Sequence, residues 1–373
     1  MKFIDLKNKA GSHSPSIALI RRLLPDLNIN VDACFLSNPY ATDLFYDYFQ
    51  KDLIDSNRLR DVLEYYPSQN KNIAEFLSKV IEISPENILI GNGAIQLIEE
   101  LLVHHLKGKV GIPIPTFSSY YEILPEERVH LIPLKKDNDY KFICSDLIKD
   151  INENDIKIIV LINPNNPTGD FMETYDIEKI LINCPGLNHI ILDESFIHFT
   201  NDGVSKIETY FDSNSNLEKV IGIKSLSKDF GIAGVRAGYA ILNKTLRNSI
   251  LSKGFLWNSN GIAEYFFELY SRKEFIVKYE KVLKRYLEDK NDFENKIRTI
   301  QGIKVIPSCA NFFLVEILSS KKSDDIVEKM LFDHGVYVRT CSDKIGLEGE
   351  YLRIASRSKI ENNQIFNALK KSI

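Results

Sequence analysis

What is scarce in this sequence narrows its class before any motif is read. Cysteines number five (Cys34, Cys144, Cys184, Cys309, Cys341), an odd count scattered over 373 residues and never spaced as a Cys-x-x-Cys pair. That pattern argues against a disulfide framework and against a zinc site, and it fits a reducing cytoplasm. Long apolar runs are also missing: the longest, Ile158 to Ile162, is far too short to span a bilayer. The start, Met1 to Gly11, mixes Lys2, Asp5, Lys7 and Lys9 with apolar residues and offers no secretory core. There is no excess of positive charge; a net charge of -4 with 26% charged residues excludes a polybasic nucleic-acid binder and is ordinary for a soluble protein. The adjacent His104 and His105 diverge by about 100° on a helix, so they do not face one metal, and no metal is expected. No internal repeat or low-complexity tract interrupts the chain.

At 373 residues the chain exceeds the size at which one core usually stops growing, so a large and a small domain are expected. From about Asn92 it alternates short β-rich runs with amphipathic stretches. The first is a helix over Ala94–Leu106, whose Ile95, Ile98, Leu101 and Leu102 share a face. Strands are expected at Lys109–Ile114, Ile156–Ile162, His189–Asp193, Val220–Lys224 and Ala237–Leu242. Runs such as Ile158-Ile159-Val160-Leu161-Ile162 are apolar on both faces, which belongs to a mostly parallel sheet covered by helices. Residues 71–271 therefore read as a large α/β domain. After about Ser271 come a long charged helix, Glu274–Arg298, a strand at Asn311–Ile317, a helix near Asp324–His334 and a final pair of elements, a smaller α+β domain over 272–373. Residues 1–70, with Pro15, Pro25, Pro39 and Pro67, read as an arm for the small domain or a partner subunit.

The chemistry gathers in three strings. In Ser225-Leu226-Ser227-Lys228-Asp229-Phe230-Gly231-Ile232-Ala233-Gly234-Val235-Arg236, a lysine after a strand sits between small hydroxyl residues and a glycine-spaced turn, with an arginine eight positions on. That arrangement suits a phosphate and an imine together: glycines allow close backbone approach, hydroxyls donate to phosphate oxygens and Arg236 offers a two-pronged fork. Asn163-Pro164-Asn165-Asn166-Pro167-Thr168-Gly169 ends another strand at the carboxyl edge, where ligands of open α/β sheets bind. Asp193-Glu194-Ser195-Phe196 ends the next and puts a carboxylate at the same edge. A pyridinium nitrogen needs such a partner; the competing reading of Asp193 is a helix cap.

Together these strings resemble the fold-type I pyridoxal phosphate enzymes of aminotransferase class I/II, in the branch holding histidinol-phosphate aminotransferase and threonine-phosphate decarboxylase. The resemblance runs from about Ser37 to the C-terminus. It implies an aspartate aminotransferase-like fold, pyridoxal 5'-phosphate as cofactor and Lys228 as both Schiff-base lysine and proton shuttle. Asp193 would pair with the pyridine nitrogen, Asn166 with the ring hydroxyl, and Ser225, Ser227 and Arg236 with the phosphate. Gly93, Ala94 and Ile95 would complete that cradle with free N–H groups at the positive end of a helix. Phe117 would stack on the ring, unless it is an ordinary core aromatic. Tyr66 matches a tyrosine that reaches the neighbouring subunit's phosphate, which implies a homodimer with shared sites. Ser68 stands where the family has an acid, and Tyr65 competes for the role. Arg339 and Arg353 resemble the arginines that grip substrate anions, the alternative being surface ion pairs. Asn38 and His13 complete the candidates for substrate contact.

Within that branch three features lean toward a decarboxylase of a small O-phospho-L-amino acid such as threonine phosphate or serine phosphate. They are the stretch from Arg339 to Arg353 with Gly346-Leu347 inside it and Ala355-x-Arg357-Ser358 after it, Phe196 in place of the usual tyrosine, and His13 upstream of Asn38. The alternatives are an aminotransferase of a small phosphate ester and, from another class, a pyridoxal-fold protein that has lost catalysis. The bond that breaks is the one held perpendicular to the imine plane, and anion clamps choose it by placement finer than a sequence specifies.

Overall fold

The computed structural model describes residues 3–10, 14–200, 203, 205, 207 and 219–373. Among these the strands are β1 (Val31–Ala33), β2 (Ile88–Asn92), β3 (Val110–Ile114), β4 (Val129–Pro133), β5 (Ile158–Ile162), β6 (His189–Asp193), β7 (Val220–Ser225) and β8 (Ala237–Ile241). β9 (Ile303–Val305), β10 (Phe312–Ile317), β11 (Val336–Thr340) and β12 (Tyr351–Ala355) follow. All five strands expected in the large domain form, with ends within two residues of those read from the pattern.

Double-sided burial decides the central sheet. Every residue of β3, β5 and β8 is buried, as runs without alternation require. The strands lie in the order β2-β8-β7-β6-β5-β3-β4, parallel except for β8, which runs antiparallel to both of its neighbours. β2 and β4 were not expected: Ile88–Asn92 runs into Gly93 and looks like a turn, and Val129–Pro133 is a half-buried edge strand ending in proline. The expected helix over Ala94–Leu106 is α-helical only over Ala94–Glu99 and continues as a π-helix over Glu100–His105.

Register aligns the carboxyl ends. Asp193 of β6 faces Ile162 of β5 and Ile223 of β7, and Ser225 faces Gly238 of β8. The segments holding Asn166, Asp193 and Lys228 therefore leave the sheet at one edge. Asn92 pairs with Ala237 across β2 and β8, so Gly93 comes level with Arg236.

The second sheet has the order β1-β11-β12-β10-β9 and is antiparallel except for the parallel pair β1 and β11. Its core includes Phe3, Leu6, Ile20 and Val31, whereas Ala41, Phe45, Tyr48 and Leu53 join the core of the large sheet. The helix Lys273–Ile297 serves both: Phe275 and Tyr279 pack with the large-sheet core, Tyr286, Phe293 and Ile297 with the small one. The fold is thus a large, mostly parallel sheet between helices with a smaller mixed sheet beside it. No helix among the described residues is long and apolar enough to cross a membrane.

Candidate active site

The edge of the large sheet forms the floor of a cavity of about 150 Å³, lined by Ala94, Ile95, Phe117, Asn166, Asp193 and Lys228 among others. Ser225, Ser227, Arg236 and Phe196 complete much of the lining. Asp193 is held from two sides. Its Oδ1 accepts from the Ser195 amide at 2.9 Å and the Ser195 hydroxyl at 2.5 Å, and its Oδ2 from the Tyr120 hydroxyl at 2.9 Å. Burial pushes the Asp193 carboxyl above its ordinary value, while Ser195, Tyr120 and the charge of Lys228 oppose the rise. A buried carboxylate so arranged has its geometry fixed and its charge only partly compensated.

Lys228 lies just beyond β7, half-buried, with its backbone carbonyl accepting from the Asn38 amide at 2.9 Å. Burial, then the guanidiniums of Arg353 and Arg236, lower its amine from the ordinary 10.5 to about 8. A lysine in that condition is a usable nucleophile near neutral pH. The next residue, Asp229, is buried against His198 Nδ1 at 2.8 Å and in an ion pair with Lys224 at 3.2 Å, which anchors the turn carrying Lys228.

Around the rim, Gly93 adopts φ +76°, and a Cβ there would come within 2.3 Å of Arg236 Nη2. Arg236 is itself left-handed at φ +60°, a conformation that costs a non-glycine residue about 1 kcal/mol or more. The missing Cβ of Gly93 lets the guanidinium lie close to a helix start where no side chain caps the N–H groups. The hydroxyl of Ser227 is buried without a hydrogen-bond partner among the described residues.

The opposite wall comes from the small sheet and adds a cavity of about 360 Å³ that shares Ile95, Phe117, Asn166, Lys228 and Arg236 with the first. Arg339 and Arg353 are direct cross-strand partners on β11 and β12. Like charges in that position repel. Arg339 is offset by Asp343, 2.5 Å from its Nη2, and Arg353 donates to Asn166 Oδ1 at 2.8 Å and to the Cys34 carbonyl at 2.7 Å. Arg353 Nε is buried without a hydrogen-bond partner among the described residues.

Not every candidate converges here. Tyr66 is 86% exposed, beside Trp257 with ring centroids 5.7 Å apart, and lines neither cavity. Asn38 is buried as the cap of the helix Pro39–Phe49, accepting from the amides of Tyr40 and Ala41, and its Nδ2 has no hydrogen-bond partner among the described residues. Arg357 grips the Ser37 carbonyl at 3.1 Å and hydroxyl at 2.6 Å, so it braces the segment leading to Asn38 and not the cavity. His13 lies outside the described residues. Three residues gained no role from the sequence: Tyr120, Ser195 and Lys344. Tyr120 sits three places after Phe117 and Ser195 two after Asp193, spacings that signal proximity; nothing local marks Lys344.

Known proteins resemble this chain over nearly its whole length. The family described as aminotransferase class I and II matches residues 50–371. The chain belongs to that family. It is one of the fold-type I pyridoxal phosphate enzymes. An L-serine phosphate decarboxylase from Campylobacter jejuni is 45% identical over 373 residues, covering 99% of this chain and 95% of the relative. The solved structure of a decarboxylase from Sulfurospirillum multivorans superposes with a TM-score of 0.93 at 42% identity, over 99% of this chain and 95% of that one. A histidinol-phosphate aminotransferase from a Thermoanaerobacter species is 30% identical over 309 residues, 82% of this chain and 84% of the relative.

The residues present fit the family's cofactor. An unpartnered buried hydroxyl on Ser227, uncapped helix N–H groups and Arg236 suit a phosphate at one end of the smaller cavity. Asp193 at its floor suits a protonated ring nitrogen, and Lys228 suits an aldehyde carbon.

Proposed function

We propose that this member of the family decarboxylates a small O-phospho-L-amino acid, L-serine phosphate foremost, with pyridoxal 5'-phosphate as cofactor. The observation that carries the reading is the cross-strand pair Arg339 and Arg353, facing a cavity continuous with Lys228. Two opposed guanidiniums without enough carboxylate between them call for a ligand with more than one negative charge. Full-length likeness at 45% to an L-serine phosphate decarboxylase supports the same substrate.

When bound, pyridoxal phosphate supplies an electron sink for the pair released as the Cα–carboxylate bond breaks. Ser225, Ser227, Arg236 and the N–H groups at Ala94 and Ile95 would hold its phosphate, Gly93 permitting the close approach. Phe117 would cover the ring, and Asn166 would meet the ring hydroxyl, its amide oriented by Arg353. Asp193 keeps a proton on the ring nitrogen, which favours charge delocalisation in the transition state. Lys228 holds the cofactor between turnovers and returns a proton to the α-carbon that has lost carbon dioxide. Arg339 and Arg353 hold the substrate anions so that the carboxylate, and not the α-hydrogen, is the group that departs; Asn38 and His13 are assigned to substrate contacts. Phe196, edge-on to Phe312 at 5.1 Å, lines the ring side without a hydroxyl.

The same proposal includes a homodimer in which the exposed Tyr66 completes the neighbour's phosphate site, a division into arm (1–70), cofactor domain (71–271) and small domain (272–373), and a cytoplasmic location. The reaction is tested by incubating the cofactor-loaded enzyme with L-serine phosphate or L-threonine phosphate and no keto acid. Carbon dioxide and a phospho-amine are expected. A keto product with the cofactor left as its amine would establish transamination instead.

A further inference from the structure

We propose that Lys344 is a third substrate-gripping cation, reading the phosphate of the substrate together with Arg339; this rests on the phospho-amino acid reading above. The residue lies on the connection between β11 and β12, half-buried, and lines the larger cavity with Arg339 and Arg353.

Its placement is built. Gly346, at φ +90°, packs so closely on the backbone of Ile114 and Pro115 that a Cβ would come within 3.1 Å of both. The Glu348 amide donates to the Tyr140 hydroxyl at 2.9 Å, and Lys136 Nζ donates to the Glu348 carbonyl at 2.7 Å. The Lys344 amide donates to the Cys341 carbonyl at 3.0 Å, closing the turn from its other side. The connection is thus tied to the region of the large sheet at several points, and Lys344 is held where the two sheets face each other.

Among the described residues no hydrogen bond or ion pair engages its ammonium, and the neighbouring carboxylate, Asp343, is taken by Arg339. Burial, followed by the charge of Arg339, brings the amine from 10.5 to about 8, with Arg353 adding to the fall and Asp343 and Cys341 opposing it. Among the described residues these three cations face one paired carboxylate, Asp343, a surplus of positive charge that suits a substrate carrying both a phosphate and a carboxylate. The two ends of the cavity differ. Arg353 donates to Asn166, which lines both cavities, and its charge lowers the Lys228 amine, whereas Arg339 is paired with Asp343, the residue before Lys344. Arg353 therefore belongs to the end where the α-carbon reacts, and Lys344 with Arg339 to the end that a side-chain phosphate reaches.

The test uses the cofactor-loaded enzyme and its Lys344→Met and Lys344→Arg variants. Binding of inorganic phosphate is followed by calorimetry, and KM and kcat are measured for L-serine phosphate. Cofactor absorbance serves as the check on folding, and L-serine as the phosphate-free probe. Lys344→Met is expected to weaken inorganic phosphate and raise KM by about tenfold or more, as loss of one charge-assisted contact does. kcat should stay within about threefold, L-serine binding should not change, and Lys344→Arg should restore most of the loss. Unchanged phosphate affinity and KM in Lys344→Met, with cofactor absorbance intact, would overturn the proposal. So would an equal loss toward L-serine. If the wild type binds phosphate through Lys344 but releases no carbon dioxide from L-serine phosphate, the anion site stands and the decarboxylase reading falls.

Discussion

The two walls of the cavity are built on opposite plans. At the edge of the parallel sheet, Asp193 is satisfied by Ser195 and Tyr120 and faces the opposite charge of Lys228. On the small sheet, Arg339, Arg353 and Lys344 crowd together with one nearby carboxylate, an arrangement that the protein alone does not neutralise. On the first wall the carboxylate is hydrogen-bonded before anything binds and only the Ser227 hydroxyl and the helix start are left open; the second leaves unneutralised charge for a ligand to meet. Parallel strands deliver their ends at one edge whatever the loops contain, so that wall serves a cofactor common to many reactions. The antiparallel pair β11 and β12 sets only which side chains oppose each other, and the loop between them can vary to suit a substrate.

The comparison is broken most severely at Asp193. Asp193→Ala should leave the cofactor held through Lys228, Arg236 and the phosphate-facing hydroxyls yet lower kcat about 10²–10³-fold, because the carboxylate acts mainly on charge that develops in the transition state. Near-normal turnover in that variant, measured with saturating L-serine phosphate, would mean that the first wall only shapes the cavity.

Arg353 links the walls, since its charge lowers the Lys228 amine while its fork holds Asn166. Arg353→Met should raise KM for L-serine phosphate by about 10- to 100-fold, the usual loss for a hydrogen-bonded charge. It should also change how the apoenzyme takes up cofactor. Capture of the aldehyde requires the unprotonated amine, so with Lys228 at about 8 about a quarter of it is competent at pH 7.5, against about 0.1% for an ordinary lysine. Removing Arg353 moves the amine upward, and the midpoint of capture rate against pH should move to higher pH with it. An unmoved midpoint in stopped-flow absorbance would show that burial and Arg236 set the amine without Arg353.

How much of this was legible follows from how local each signal is. β5, β6 and β7 with the residues after them could be read because the strand and its chemical string are contiguous; Asp193 and Lys228 need only the alignment of strand ends, which Ile162, Ile223 and Gly238 fix through register. Arg339 and Arg353 stood out only through resemblance, because their opposition depends on the antiparallel register of two strands separated by a ten-residue connection. Arg357 was legible only as part of a decarboxylase-like string, and its contact, which braces Ser37 across 320 positions, is one that no pattern announces. Lys344 was passed over because a lysine in a charged loop reads as solvated until Gly346 and Glu348 fasten that loop. β2 was masked by the glycines at its end, which the antiparallel pairing with β8 overrides.

The smallest effect is expected at Tyr120, and it tests whether the first wall is tuned or merely filled. The Tyr120 hydroxyl donates to Asp193 Oδ2 at 2.9 Å, with both residues buried, and its ring stands edge-on to Phe117 at 6.4 Å. Tyr120→Phe keeps the ring and removes only the donor. A hydrogen bond to a buried charged group contributes about 1.5–3 kcal/mol, but Ser195 retains both of its bonds to Oδ1, so the loss in kcat should be about tenfold or less. The direction in pH is fixed: the Tyr120 bond opposes the rise that burial imposes on the Asp193 carboxyl, so without it the carboxyl rises further and is protonated at higher pH. On acidification, activity in the variant should therefore begin to fall at a higher pH than in the wild type. If kcat drops while the acid limb stays where it was, Tyr120 positions Asp193 without tuning its charge; if neither moves, Ser195 alone holds the carboxylate.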